Sequence, residues 1–499
     1  MNDPIFQTRD IRPAGYLALI HRFELDVIPN WHQSFISGGS LLKTHTEGMV
    51  TKEIYPAKYW PGDTLGNHLE FALKYDGTNF AILAAIFQAV QRKELQDHIA
   101  SKPRGKYVRR LWFLYEMLTE TMLDIDDLRT GGYVDLLDPG EYFTVSPARQ
   151  VRRQRINDNL PGDRRFCPTV RRTEVFNKFE ESNLPERCRE IIADCSPQLL
   201  KRAMGYLYTK ETRSSFEIEH IEPGPTRIER FINLLKSAKN DDYCNKSRLV
   251  ELQNRIVDPR FQDSDYRSAQ NYVGETVSWQ QEKIHYVGPK PGDLPELMEG
   301  LIASHDRMNQ SDIHAVVHAA MVSYGFVFLH PFEDGNGRIH RFLIHNILTR
   351  RNFTPADMIF PVSASMLRNR NSYDLTLEAF SRPLMEQVEY RLDDEGRMTV
   401  QNETACLYRY IDLTFQAEML FRFIEQTIET ELVAELAFLV NYDRARKAIQ
   451  EIVDMPDSKI DVFIRICLQN EGRLSKGKRD SLFGFLSDEE ILRMEEAIS

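Results

Sequence analysis

Apolar residues recur at spacings of three and four through much of this chain, the period of an amphipathic helix. Between Gly62 and about Ile125 the runs HLEFALKYDGTNFAILAAIFQAV and YVRRLWFLYEMLTETML carry that period. From Pro197, the positions Leu199, Leu200, Ala203, Met204 and Leu207 predict a long helix that continues through TKETRSSFEIEHIE until Pro223 and Pro225 end it. Ile313, Val316, Val317, Ala320, Met321, Tyr324, Val327 and Phe328 form a stripe running into His330. A second stripe, Ile339, Phe342, Leu343, Ile344, Ile347 and Leu348, begins just after Gly337. The residues from His330 to Gly337 therefore read as the loop between two buried helices. Beyond about Pro383, helical patterns such as LYRYIDLTFQAEMLFRFIEQTIETELVAELAFLV continue towards the end of the chain.

The period breaks in two places. NYVGETVSWQQEKIHYVGPKPG, from Asn271 to Gly292, is rich in β-branched and aromatic residues and closes on Gly and Pro, which predicts a short hairpin. DLLDPGEYFTV and RRQRINDNLPGDRRFCPTVRR set turn residues among arginines, so a boundary is placed at about Val145 to Arg172. Arg152, Arg153, Arg155, Arg164, Arg165, Arg171 and Arg172 there read as a solvated linker in preference to a nucleic-acid or acidic-partner patch. The fold class expected is all-α, or mainly α, a helical core with one β-hairpin flanked by N- and C-terminal helical domains. The boundaries are 1–150 for a mostly helical domain, 151–196 for the linker region, 197–235 for the long-helix region, 236–385 for the core and 386–499 for a C-terminal helical domain. The last segment, IDVFIRICLQNEGRLSKGKRDSLFGFLSDEEILRMEEAI, has the helices and basic loop of a winged-helix-like unit, and a helical bundle explains the same residues.

At 499 residues several domains are expected. A formal net charge of −11 excludes wholesale coating of nucleic acid and leaves only a local contact through the basic RLSKGKR loop, Arg473 to Arg479. Six cysteines with no Cys-x-x-Cys pair give no zinc knuckle or redox pair and suit a reducing cytoplasm, the expected location. MNDPIFQTRD lacks a basic-then-apolar leader, and the longest apolar stretch, Ala81 to Val90, is too short to span a bilayer, so no membrane contact is expected. Whether the chain forms a homodimer stays open.

The loop carries the chemistry. His330-Pro-Phe-Glu-Asp-Gly-Asn-Gly-Arg-Ile-His-Arg341 combines a candidate base, a carboxylate, a glycine-flanked turn and two arginines. A helix start binds phosphate because its first N–H groups lack partners and the macrodipole favours negative charge. Gly335 and Gly337 admit a close approach, and Asn336 between them is expected to hold a strained turn and donate to a phosphoryl oxygen. Asp334 is the candidate ligand for Mg2+, with Mn2+ an alternative, since magnesium takes one or two carboxylates plus phosphates. Arg338 and Arg341, three apart, share a face and suit bidentate clamping of phosphates. His330 suits proton abstraction near neutrality, which makes it the catalytic candidate. Phe332 reads as the loop's apolar anchor and Glu333 as surface.

This stretch resembles the signature of the Fic family, His-x-Phe-x-Asp/Glu-Gly-Asn-Gly-Arg-x-x-Arg, at His330, Phe332, Asp334, Gly335, Asn336, Gly337, Arg338 and Arg341. The resemblance covers roughly Ala203 to Leu384. It implies a Fic-type α-helical core and transfer of AMP from ATP to a Ser, Thr or Tyr hydroxyl of a protein target. His330 would deprotonate that hydroxyl, and pyrophosphate would leave in line. Gly337 stands where the related Doc-type kinases carry lysine, which favours nucleotidyl over phosphoryl transfer. Lys283, Ile284, His285 and Tyr286 match the family's flap, a hairpin edge that docks the target segment. Tyr373 resembles one of a tyrosine pair flanking the nucleotide base; Asp374 replaces the second.

Ser215-Phe-Glu-Ile-Glu219-His220 resembles the family's inhibitory motif, Ser/Thr-x-x-x-Glu-Gly/Asn, with His220 in place of Gly or Asn. Its place upstream resembles the subclass with an N-terminal inhibitory helix, in which Glu219 would pair with Arg341. A glutamate closing a helix opposes the macrodipole, which an arginine partner offsets. The alternative is a solvated stripe of Glu217, Glu219 and Glu222. KTHTEG, Lys43 to Gly48, lacks the hydroxyl where the motif wants it and is rejected. Two further readings stay open: removal of AMP with Glu219 orienting a water, and a nucleotide-sensing regulator whose terminal domains bind DNA or a partner.

Overall fold

The computed structural model describes residues 11–193, 195–278, 281–355, 358–393 and 395–498. It begins with β1 (Arg12–Ala14), α1 (Gly15–Phe23), β2 (His32–Ser37), β3 (Lys43–Glu47) and β4 (Val50–Pro56). Helices α2 (Leu65–Phe71), α3 (Phe80–Ala89), α4 (Arg92–Ser101) and α5 (Lys106–Thr119) follow. Strands β5 (Val134–Asp135), β6 (Arg149–Val151) and β7 (Ile156–Asp158) lead into α6 (Glu174–Ser182), α7 (Leu184–Ala193), α8 (Pro197–Glu217) and α9 (Pro225–Ser237). Then come α10 (Lys246–Ile256), β8 (Tyr272–Ser278), β9 (Gln281–Val287), α11 (Leu294–Asn309), α12 (Ala315–Leu329), α13 (Asn336–Arg350), α14 (Val362–Arg368) and α15 (Arg370–Met385). The remainder is β10 (Tyr390–Leu392), β11 (Met398–Val400), α16 (Ala405–Arg409), α17 (Thr414–Gln426), α18 (Val433–Ile452), α19 (Asp457–Leu468), α20 (Lys476–Leu482) and α21 (Asp488–Ile498). The protein is mainly α, as expected from the period of its apolar residues. No helix among the described residues is long and apolar enough to cross a membrane.

The chain divides into two compact units. The first holds residues up to Glu181, Ser237–Phe353 and Asn369–Phe421; the second holds Ser182–Lys236, Thr354–Arg368 and Arg422 onward. This partition differs from the linear boundaries 151–196 and 386. Residues 386–421 fold with the first unit, and the short insertion that includes α14 folds with the second.

In the first unit, β1–β4 form a four-stranded sheet of order β1-β2-β4-β3, with β2 parallel to β4 and the other pairs antiparallel. Residues 11–150 are therefore not simply helical. The expected linker is also structured. β5, β7 and β6 form a three-stranded sheet, and Leu136, Ile156, Leu160 and Cys167 share one apolar core with Leu69, Leu83, Ile86, Leu111 and Trp112. Two of its arginines are paired by acids distant in sequence: Arg153 with Glu116 at 3.0 Å and Asp127 at 2.6 Å, and Arg171 with Asp412 at 3.0 Å. Cys167 and Thr169 donate backbone bonds to Arg409 and Ile411 at 2.8 and 2.9 Å, which joins this stretch to the far end of the unit.

α12 is buried on nearly every side, the pattern of a central helix, and packs against α11 and α13. The predicted hairpin is present as β8 and β9, antiparallel with irregular register at Val273/Gly274 and Thr276/Ser278.

In the second unit, α8 starts at Ser196, whose hydroxyl accepts from the Leu199 amide at 3.2 Å, with Pro197 in the first turn. Ile449, Ile460, Phe463, Ile464, Cys467, Phe483 and Met494 close a core around α18–α21. The described residues from Val433 onward hold helices and turns without a strand, so the wing of a winged helix is missing there. α21 also carries Asp488, Glu489 and Glu490 in its first turn, a charge that repels phosphate.

Candidate functional site

The helix α12 ends on His330, which takes the left-handed conformation at φ 48° and ψ 58° and donates its backbone N–H to the Phe326 carbonyl at 3.0 Å. Its Nδ1 lies 3.1 Å from the Val327 carbonyl. That acceptor selects the tautomer with the proton on Nδ1, which makes Nε2 the basic nitrogen. α13 begins within a few residues. Gly335 caps it at φ 90°, and a Cβ there would meet Val257 Cγ1 at 2.9 Å. Both the backbone conformation and the space therefore require glycine. The base and the helix start that favours anions flank one turn.

The turn is held by side chains whose roles differ in part from the linear reading. Asn336 is helical and buried; its Oδ1 accepts from the Phe332 amide at 3.1 Å and its Nδ2 donates to the Phe332 carbonyl at 2.7 Å. The amide expected on a phosphate is thus committed to the loop backbone, and the left-handed conformation expected of it falls on Gly335 and His330. Phe332 is fully buried against Tyr266 and Phe326, as an anchor should be. Glu333 is exposed. Gly337 lies in the first turn of α13.

Asp334 Oδ1 accepts from the Gly335 amide and from Arg338 Nη2, each at 2.6 Å. Arg338 is fully buried and also donates to the Ile256 carbonyl, 3.3 Å away at the end of α10. Arg341, one turn further along α13, is buried as well. One partly exposed carboxylate fits a magnesium ion that draws its other ligands from phosphates and water. No cluster of three or more His, Cys, Asp or Glu side chains suited to a metal exists among the described residues.

Two residues that the linear reading missed support His330. Arg267, buried, donates Nε to the His330 carbonyl at 2.8 Å, Nη1 to Ala269 at 2.8 Å and Nη2 to Pro289 at 2.6 Å. Its backbone N–H reaches the Pro331 carbonyl at 2.8 Å. Burial lowers its pKa to about 10, because these acceptors are neutral carbonyls. Asn271 donates to the carbonyls of His330 and Phe332 at 3.3 Å each. A lone arginine before a hairpin leaves no signal in a linear sequence.

Along the flap, Lys283 and His285 are exposed and face Glu275 at 3.6 and 3.3 Å. Ile284 is half-buried, and Tyr286 is buried, with its hydroxyl on the Phe328 carbonyl and its ring 6.2 Å from the His330 ring. This alternation lets one strand present an outer face while its other face holds the base. Tyr373, in α15, is buried and stacks at 6.4 Å on His340 of α13.

In the second unit, α8 carries Ser215 buried in its last turn and ends in a Schellman turn. His220 donates to Glu217 at 2.9 Å and Ile221 to Phe216 at 3.1 Å, with His220 left-handed at φ 56°. Gly and Asn suit that position because they tolerate positive φ, and His is also enriched there, so the departure at His220 preserves the geometry. Glu219 sits half-buried in this turn, while Glu217 and Glu222 are exposed.

A histidine at one helix end beside a glycine-capped helix start, which favours anions, marks the candidate site in the first unit. Residues 243–348 match the model of the Fic/DOC family. Over 129 residues it is 33% identical to the protein adenylyltransferase Fic of Aedes aegypti, covering 25% of this chain and 23% of that one. Over 110 residues it is 36% identical to the protein of the same name in Drosophila virilis, covering 21% and 20%. The chain thus matches less than a quarter of the length of these relatives. Among solved structures, a Fic family protein from Desulfovibrio desulfuricans G20 aligns at a TM-score of 0.36 and 19% identity, covering 64% of this chain and 87% of that one. A Fic domain containing signaling protein from Bacteroides thetaiotaomicron VPI-5482 aligns at 0.36 and 18%, covering 52% and 95%.

Proposed function

We propose that the chain is a protein adenylyltransferase that moves AMP from ATP to a Ser, Thr or Tyr hydroxyl of a protein target. The observation that carries this reading is the arrangement of His330, with Nδ1 on the Val327 carbonyl, beside the Gly335-capped start of α13. The 33% identity of this segment to a protein of that activity supports it.

Nε2 of His330 takes the hydroxyl proton, the oxygen attacks the α-phosphorus of ATP, and pyrophosphate leaves with its bonding electrons. The N–H groups at the start of α13 receive the phosphates, and Arg341 offers a guanidinium to their outer charge. Asp334 would hold Mg2+, which supplies charge neutralisation at the phosphate oxygens. Arg267 and Asn271 keep the His330 backbone in its left-handed turn. Lys283 to His285 on the flap align the target segment by strand addition. Glu219 acts as a brake on Arg341, with the left-handed His220 supporting the turn this needs.

The test is mass spectrometry of full-length Glu219→Gly incubated with Mg2+, mixed nucleoside triphosphates and candidate target proteins. The reading expects an adenylyl group on a Ser, Thr or Tyr oxygen; a phosphoryl group alone, or unmodified protein, contradicts it.

A further inference from the structure

β3 is an outer strand of the four-stranded sheet in the first unit and pairs with β4 along one side. Its five residues, Lys-Thr-His-Thr-Glu, are mostly exposed. They are bracketed by apolar side chains that the fold leaves in solvent: Leu41 is 73% exposed, Leu42 54% and Met49 55%. An unpaired edge with apolar ends is a template for another strand.

The order of residues selects that strand. If a second copy of β3 is laid antiparallel with His45 opposite His45, then Lys43 faces Glu47 twice and Thr44 faces Thr46 twice. Continued outward, the same register brings Leu41 of one copy beside Met49 of the other. Opposite charges and threonine pairs across antiparallel strands each contribute roughly 0.2–1 kcal/mol, and like charges oppose pairing. A shift of two residues in either direction places Lys43 opposite His45 or Glu47 opposite His45 and loses the two Lys–Glu pairs. The period of two keeps Lys43, His45 and Glu47 on one face and the threonines on the other. Glu47 already binds Lys52 of β4 at 2.7 Å, so its carboxylate is held on the face where the partner's Lys43 would arrive.

We propose that β3 is a homodimerisation edge, joining two copies of the chain through antiparallel β3–β3 pairing centred on His45. Two four-stranded sheets become one continuous sheet across a two-fold axis. The contact is short, so the dimer forms and dissociates with concentration. Nothing in this proposal depends on the catalytic reading.

Sedimentation of the full chain over a range of concentrations tests it. The native protein shows a reversible monomer–dimer equilibrium. Lys43→Glu and Glu47→Lys each turn two attractive pairs into like-charge pairs and weaken the dimer by about tenfold or more. The double variant Lys43→Glu/Glu47→Lys recreates both pairs with the charges exchanged and binds more tightly than either single, short of the native constant because position 47 no longer pairs with Lys52. A chain that stays monomeric throughout, a dimer indifferent to the single charge changes, or a double variant no better than the singles overturns the proposal.

Discussion

Asn336 shows how a motif residue acts through the backbone. Both ends of its amide are engaged by Phe332, which pins the turn between the base and the helix start. Asn336→Ala leaves the buried N–H of Phe332 unpaired and its C=O with only the longer bond from Asn271, at about 1–3 kcal/mol, and on the proposed function AMP transfer falls with the loop's order. Urea unfolding together with a transfer assay checks both; an unchanged stability contradicts the clamp. At His220 the expectation runs the other way. Glycine removes the left-handed penalty of about 1 kcal/mol, so His220→Gly firms the turn carrying Glu219 and lowers basal transfer, whereas higher transfer counts against the brake. The motif residues were legible as a set because their chemistry is local in sequence. Arg267 was not, since its meaning lies in carbonyls of His330 and Pro289 that only folding brings to it.

At the scale of elements, α12 and α13 were readable from apolar period, and the hairpin from its β-branched run and closing Gly and Pro. The sheet β1–β4 was not. Its strands are short and β3 is exposed on both faces, so no apolar alternation marks it as a strand. The arginine-rich stretch misled for a related reason: Glu116, Asp127 and Asp412, which pair its charges, lie far away in sequence. α12 also makes a prediction about acid. Its cap His314 accepts from the Val316 amide at 3.2 Å through Nδ1, which requires a neutral ring. Burial holds His314 down to about 4 and, in α13, His340 down to about 3. With folded pKa values below the unfolded value, the unfolded chain takes up protons first as pH falls below about 6.5. Stability is therefore full above that pH and declines towards pH 4, by roughly 2 kcal/mol per histidine at pH 5. His314→Asn, a cap that does not titrate, should flatten this slope in urea unfolding between pH 7 and 5; an unaltered slope contradicts the assignment.

At the scale of the molecule, the stretch that matches the Fic/DOC family model lies in the first unit, and residues from three separated stretches build each unit. The linear boundaries follow composition shifts, which mark turns, whereas a compact unit is defined by which segments share a core, as Leu160 and Cys167 do with Leu83. The central claim is that His330 is the base of an adenylyl transfer restrained by Glu219. Its most direct test is incorporation of labelled AMP from ATP by full-length native protein, Glu219→Gly and Glu219→Gly/His330→Ala with Mg2+. The account predicts low incorporation by the native chain, a large rise in Glu219→Gly and loss of that rise in the double variant. Equal incorporation by the two variants, or none by Glu219→Gly, contradicts it.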